Sequence, residues 1–243
     1  MGGRGAFIGF INNFGKNRLK VDDTFEQDKK TKSNNSSIQQ LSNINVVVMA
    51  STDDISLEIL NPNLKKLHQI LSKEETYLKY LEKETLYIRS EKMSDPRTQA
   101  VFRYIERPEI IFNKRLTKQT KADIEKVAQQ QIDIKFWTKS DKNELVNHVM
   151  VHELGHYVQD ILIKEKYKGL NPSIKYSKMY EAGLMREEIN KICLKEFGKP
   201  AQSSGYGNKK FVEFFAETFC ELYTTKNPSF TARALEIYLK EKL

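Results

Sequence analysis

The sequence predicts an α+β protein, mostly helical, with a small sheet. Three observations carry this expectation. A β-branched run at 45–49 (NVVVM) suits a buried strand, leucines at 64–88 recur at three- and four-residue steps between Lys and Glu, and helix start and stop signals alternate through the C-terminal half.

At 243 residues the chain is long enough for one hydrophobic core plus a smaller appendage. With 39% hydrophobic and 30% charged residues, it is poorer in core formers than an average domain, so part of it is expected to lack a core. The formal net charge is +8, but the lysines are scattered among nearly as many carboxylates and form no long basic block. A solvated lysine-rich surface explains that balance, and with no base-reading motif present a nucleic-acid partner is not expected. Cys193 and Cys220 have no disulfide-framework or zinc-cluster spacing and read as structural thiols. No apolar stretch reaches membrane-spanning length, and the N-terminus lacks a secretory pattern, so synthesis into the cytoplasm is expected. Host cytoplasm, virion and export all stay open as final locations.

In chain order, 1–44 is rich in Gly, Asn, Gln, Ser and Lys and reads as a flexible N-terminal tail, its apolar residues clustered at Phe7, Ile8, Phe10, Ile11 and Phe14. The strand at 45–49 follows. Asn61-Pro62-Asn63 offers a helix start, and Leu64, Leu67, Leu71, Leu78, Leu81 and Ile88 predict one long amphipathic helix that Ser94-Asp95-Pro96 ends. Strands are predicted at 109–112 and at 132–137, where Ile132, Ile134 and Phe136 share a face, with a helix at 118–130 between them. The stretch 45–130 is thus a helical region with short strands, expected to pack on a catalytic region at 131–243. There, Asp141 and Glu144 have capping-box spacing ahead of an apolar pattern through Val158. Further helices are predicted at 177–197, stopped by Gly198 and Pro200, at 210–223, and from Asn227-Pro228 onward.

The chemistry is concentrated in His152-Glu153-Leu154-Gly155-His156. Residues four apart stand one helical turn above each other, so both imidazoles lie on one face at a separation a single tetrahedral zinc bridges. Glu153 borders that face, where it can take the proton of a water that the metal activates. His148 is eight residues from His156, about 12 Å along the axis, too far to share a zinc with bonds of about 2.1 Å. His148 is therefore expected to play a supporting role. A third protein ligand must come from elsewhere, and Glu213 and Glu217, one turn apart in a predicted helix, can both face the site.

The HELGH helix, the Tyr206-Gly207 turn and the Glu213-Phe214-Phe215-Ala216-Glu217 helix together resemble the zinc peptidase domain of the anthrax lethal factor-like family, over roughly 145–223. The resemblance implies a zincin-like metallopeptidase fold with an active-site helix and Zn2+ as cofactor. Aligned without gaps, it makes Tyr206 the catalytic tyrosine beside Glu153, Glu213 the third zinc ligand after His152 and His156, and Glu217 the carboxylate that orients a ligand histidine. The implied activity is hydrolysis of peptide bonds in a protein or peptide substrate, laid along an edge strand drawn from 109–112 or 132–137. HExxH domains of this kind also accompany bacteriophage head proteins, and Met1 to Ala6 resembles the start of phage structural proteins. A phage or mobile-element assembly protein that keeps the zincin fold with little proteolysis is thus the alternative, with a phage or host protein as its partner.

Overall fold

A computed structural model describes residues 18–21, 38–41, 45–49, 55–73, 75, 77, 79, 81, 84–168 and 177–243. Four strands form the sheet beside the core: β3 (Val46–Val48), β4 (Leu86–Glu91), β6 (Pro108–Asn113) and β5 (Ala100–Tyr104), in that spatial order. β3, β4 and β6 run parallel, and β5 turns back antiparallel to β6 as the outer edge. Two short strands, β1 (Arg18–Val21) and β2 (Ile38–Leu41), continue the sheet beyond β3. The rest of the predicted tail, including its aromatic cluster and Met1 to Ala6, lies outside the described residues.

The expected strands at 45–49 and 109–112 correspond to β3 and β6. The second of these is interior, between β4 and β5, so it offers no free edge. The edge belongs to β5, a short strand whose outer residues are half-buried or exposed and which has no long apolar run to announce it.

The predicted long helix is divided. α1 (Leu57–Leu71) begins at Ser56, whose carbonyl accepts from the Ile59 and Leu60 amides, so Pro62 falls inside the helix instead of starting it. Ile59, Leu60, Leu64, Leu67, Ile70 and Leu71 form its buried stripe. Ile88, assigned from sequence to that helix, sits in β4, where Leu86 and Ile88 point into the core and pair with Val46 and Val48. Their two-residue alternation outweighs the helical, seven-residue spacing of Ile88 back to Leu81 because a parallel partner strand stands ready.

The strand expected at 132–137 does not form. Thr120 and Asp123 make a reciprocal capping box that starts α2 (Lys121–Asp133), and the helix runs through Ile132. Lys135 then takes a left-handed conformation, φ 59°, and the chain turns. The capping box expected at Asp141 is also absent. Asp141 instead accepts from the Thr225 hydroxyl and the Lys226 amide, while Glu144 pairs with Lys66 at 3.0 Å, and a 3-10 turn (Lys142–Asn147) leads into the next helix.

That helix is α3 (His148–Lys166), followed by α4 (Lys178–Phe197), α5 (Phe211–Thr224) and α6 (Phe230–Lys242). Ser177 caps α4, Gly198 ends it at φ 64°, and Ser229 caps α6. One hydrophobic cluster takes in β3, β4, β6, α1 and all four later helices, so 45–130 and 131–243 share a core. Cys193 and Cys220 are buried free thiols. No described helix is long and apolar enough to cross a membrane.

α3 and α5 pack closely because of Gly155. A Cβ built there would lie 2.9 Å from the Ala216 Cα, so glycine in HELGH and alanine in α5 permit the approach that brings the two helices' polar residues together.

Candidate metal centre

The α3–α5 contact brings His152, His156 and Glu213 to one point. Glu213 Oε2 lies 3.3 Å from Nε2 of His152 and 3.3 Å from Nε2 of His156, and one ligand atom from each residue lies within 4.8 Å of the others. The imidazoles meet edge to face, with centroids 4.9 Å apart. Among the described residues this is the one group of three that converges in this way.

Glu217, one turn after Glu213, holds the other side of the His152 ring. Its Oε1 is 2.9 Å from Nδ1, while Oε2 accepts from the Thr138 amide at 2.7 Å and the Ser204 hydroxyl at 2.6 Å. Burial raises its carboxyl, but His152 outweighs that and holds the group below the usual carboxylate range. An ionised carboxylate only accepts, so Nδ1 keeps a hydrogen, and Nε2 is the nitrogen that gives up its proton to present a lone pair when a cation binds. That lone pair faces Oε2 of Glu213.

This donor set fits a metal cation. Two imidazole nitrogens and a carboxylate oxygen converge with acceptor atoms, and no well-aligned donor reaches buried Glu213 Oε2. The electrostatics agree. Burial lowers the proton affinity of His152, but Glu213 and Glu217 overcome it and push the ring well above the usual histidine range. Burial likewise raises Glu213, and its contacts with His152 and His156 hold it well below the usual range. A positive charge is favoured at the point where the three ligand atoms meet.

Glu153 lies beside this group on α3. Its Oε2 accepts from the backbone amide of Phe102 on β5 at 2.6 Å. Since Gln99 O receives the Asn113 amide, odd-numbered residues of β5 pair with β6, and the peptide groups of Ala100, Phe102 and Tyr104 face outward. Among the described residues no strand pairs with that side of β5, so a free edge of the sheet borders the candidate base.

Tyr206 also borders the group, its ring 5.8 Å from that of His152 and 5.3 Å from that of Phe136. Burial first, then the charges of Glu213 and Glu153, push the phenol up, so it stays protonated and able to donate at neutral pH. The turn at Lys135 to Trp137 positions it, since Lys135 O and Phe136 O receive the amides of Gly205 and Tyr206 at 2.9 and 2.8 Å.

His148 stays apart from the three ligand atoms. It is buried, stacks on Trp137 at 4.8 Å, and its Nδ1 is 2.8 Å from the Ser140 hydroxyl. Besides the Thr138 amide, three contributors escaped sequence reasoning: the Phe102 amide, Ser204, and half-buried Lys178, whose ammonium stands 5.3 Å from the centre of the Phe102 ring. Ser204 is two residues before Tyr206, and a serine beside a Tyr-Gly turn was the one available signal. The other two carry none.

No family model matches the sequence, and no curated protein matches it.

Proposed function

We propose that the protein is a zinc metallopeptidase that hydrolyses peptide bonds of a protein substrate. The observation that carries this reading is the meeting of His152, His156 and Glu213, with Glu153 next to His152 in the chain and the Tyr206 ring 5.8 Å from that of His152. Two imidazoles and one carboxylate form the donor set of catalytic zinc sites, which leave a coordination position open.

Bound zinc would supply Lewis acidity, polarising a carbonyl and acidifying water. The chain's own groups do the rest. The outward peptide groups of β5 hold an extended substrate by strand addition, with its scissile carbonyl between Glu153 and Tyr206. Glu153 takes the proton of the attacking water and passes it to the leaving amine. The Tyr206 hydroxyl donates to the oxygen that becomes negative as water adds to the carbonyl carbon. Glu217 keeps His152 in the tautomer that presents Nε2.

Metal analysis coupled to a peptide-library cleavage assay tests this reading. About one zinc per chain is expected, with cleavage by the wild type and none by Glu153→Gln. Failure to bind zinc on reconstitution would sink it. Zinc binding without cleavage of any peptide would favour an assembly role on the same scaffold.

A further inference from the structure

Above the metal centre lies a cleft of about 820 Å³. Its floor carries three glutamates, all engaged: Glu153 by the Phe102 amide, Glu213 by two imidazoles, and Glu217 by His152, Thr138 and Ser204. Among the other charged residues of the lining are four cations, Arg97, Arg115, Lys209 and Lys210. The remaining carboxylate in that lining, Asp95, is taken up by Arg97 at 3.0 Å.

Among the described residues, Arg115, Lys209 and Lys210 make no ion pair with a carboxylate, so their charge is open to a ligand in the cleft. Lys209 is also held in place, its ammonium 4.5 Å from the centre of the Phe136 ring on the cleft wall. The three cations come from two separate segments, after β6 and before α5. All three line the one cleft, so their gathering there is not the product of one basic run.

Resting on the peptidase reading, we propose that the cleft selects peptides with acidic side chains flanking the bond to be cut, received by Arg115, Lys209 and Lys210. A lysine-bearing peptide meets uncompensated like charge there, and a glutamate-bearing one finds partners. These cations are solvent-accessible, so the preference is severalfold, not absolute, and weakens with salt.

Peptide binding to full-length Glu153→Gln protein tests this apart from turnover. Trp137, the chain's single tryptophan, lines the cleft, and its fluorescence reports occupancy. The probes are peptides of one length around a fixed apolar pair, differing only in Glu, Gln or Lys at the flanking positions. Each Gln→Glu exchange is expected to tighten binding about fivefold, and each Gln→Lys exchange to weaken it similarly. Arg115→Glu, Lys209→Glu and Lys210→Glu, added to Glu153→Gln, should reverse the order, while Lys195→Glu outside the cleft should leave it unchanged. Equal affinity for Glu and Lys peptides, or a preference that survives all three reversals, would overturn the proposal, as would tighter binding of an oligothymidylate of equal charge. Charge-selective binding without cleavage by the wild type would count against the peptidase reading and leave the selectivity standing. Cleavage indifferent to flanking charge would do the opposite.

Discussion

The backbone amide of Phe102 donates to the carboxylate of Glu153 at 2.6 Å, tying the free edge of the sheet to the acidic residue between the two histidines. The bond fixes the direction of a carboxylate whose task, in the proposed reaction, is to receive a proton. Glu153→Gln keeps an oxygen that accepts the same bond, so thermal stability and zinc content are expected to match the wild type. Hydrolysis should fall by about 10²–10⁴-fold, the usual worth of a positioned base. Stopped peptide assays at equal zinc loading check this, and equal turnover would remove Glu153 from its role.

Glu213 and Glu217 differ in what they touch, which ranks them. Glu213→Ala removes the oxygen that faces both Nε2 atoms and should weaken zinc binding most. Glu217→Ala frees the His152 ring and should cost about 10–100-fold in zinc affinity or activity. Tyr206→Phe should leave zinc in place and lower turnover by roughly 10²–10³-fold, as for one lost oxyanion donor. Chelator-competition titration and initial rates separate the three. An empty site in Glu217→Ala beside a full one in Glu213→Ala would mean that the ligand assignment is off by one turn.

The candidate site was more legible in the sequence than the sheet, for a physical reason. Any helix places His152 and His156 on one face, so their spacing alone predicts convergence. The choice between Glu213 and Glu217 could not come from spacing, since both project to one side of α5. It came from resemblance, and the contacts of the two residues now give it a geometric basis. The sheet was harder. Ile88 stands seven residues after Leu81 and two after Leu86, so it fits a helical and a strand period at once, and only the partner β3 decides between them. Ile132, Ile134 and Phe136 alternate like a strand, yet α2 had already started at a strong cap and continued through Asp133. The amide of Phe102 is a backbone group, invisible to any reading of side chains.

Gly155 is where packing and chemistry meet. In Gly155→Ala the new Cβ would lie 2.9 Å from the Ala216 Cα and 3.1 Å from the Phe219 Cβ, so α3 and α5 must separate. Overpacking of this kind costs about 1–3 kcal/mol, more than the roughly 1 kcal/mol alanine gains over glycine as a helix former. Lower thermal stability and weaker zinc binding are expected together, because separation moves Glu213 and Glu217 away from His152. Gly183→Ala is the contrast. Its Cβ meets only the ring of Phe211, which is 44% exposed and free to swing aside, so stability should hold or rise. Thermal melts of both variants decide, and an unchanged Gly155→Ala would show that the helix contact is looser than drawn.

His148 predicts an acid-sensitive step in stability. Burial pushes its pKa down to about 4, from 6.5, and the ring is stacked on Trp137 with Nδ1 against Ser140. Its folded pKa lies below its unfolded one, so between these values the unfolded chain binds the proton and the native chain does not. Above about pH 6.5 the group is neutral in both states and adds no pH dependence. As pH falls from about 6.5 to about 4, stability is lost, by roughly 3 kcal/mol in all, and below that the loss levels off. Every other ionisable group must be common to the two chains being compared, so the comparison is with a variant that keeps them. His148→Phe preserves a ring against Trp137 and cannot take a proton. The difference in urea-unfolding free energy between wild type and His148→Phe should therefore shift against the wild type between pH 7 and pH 4. Trp137 fluorescence follows both transitions, since the tryptophan touches the ring in question. A difference that stays flat across that range would show that the His148 ring is not held neutral by its surroundings.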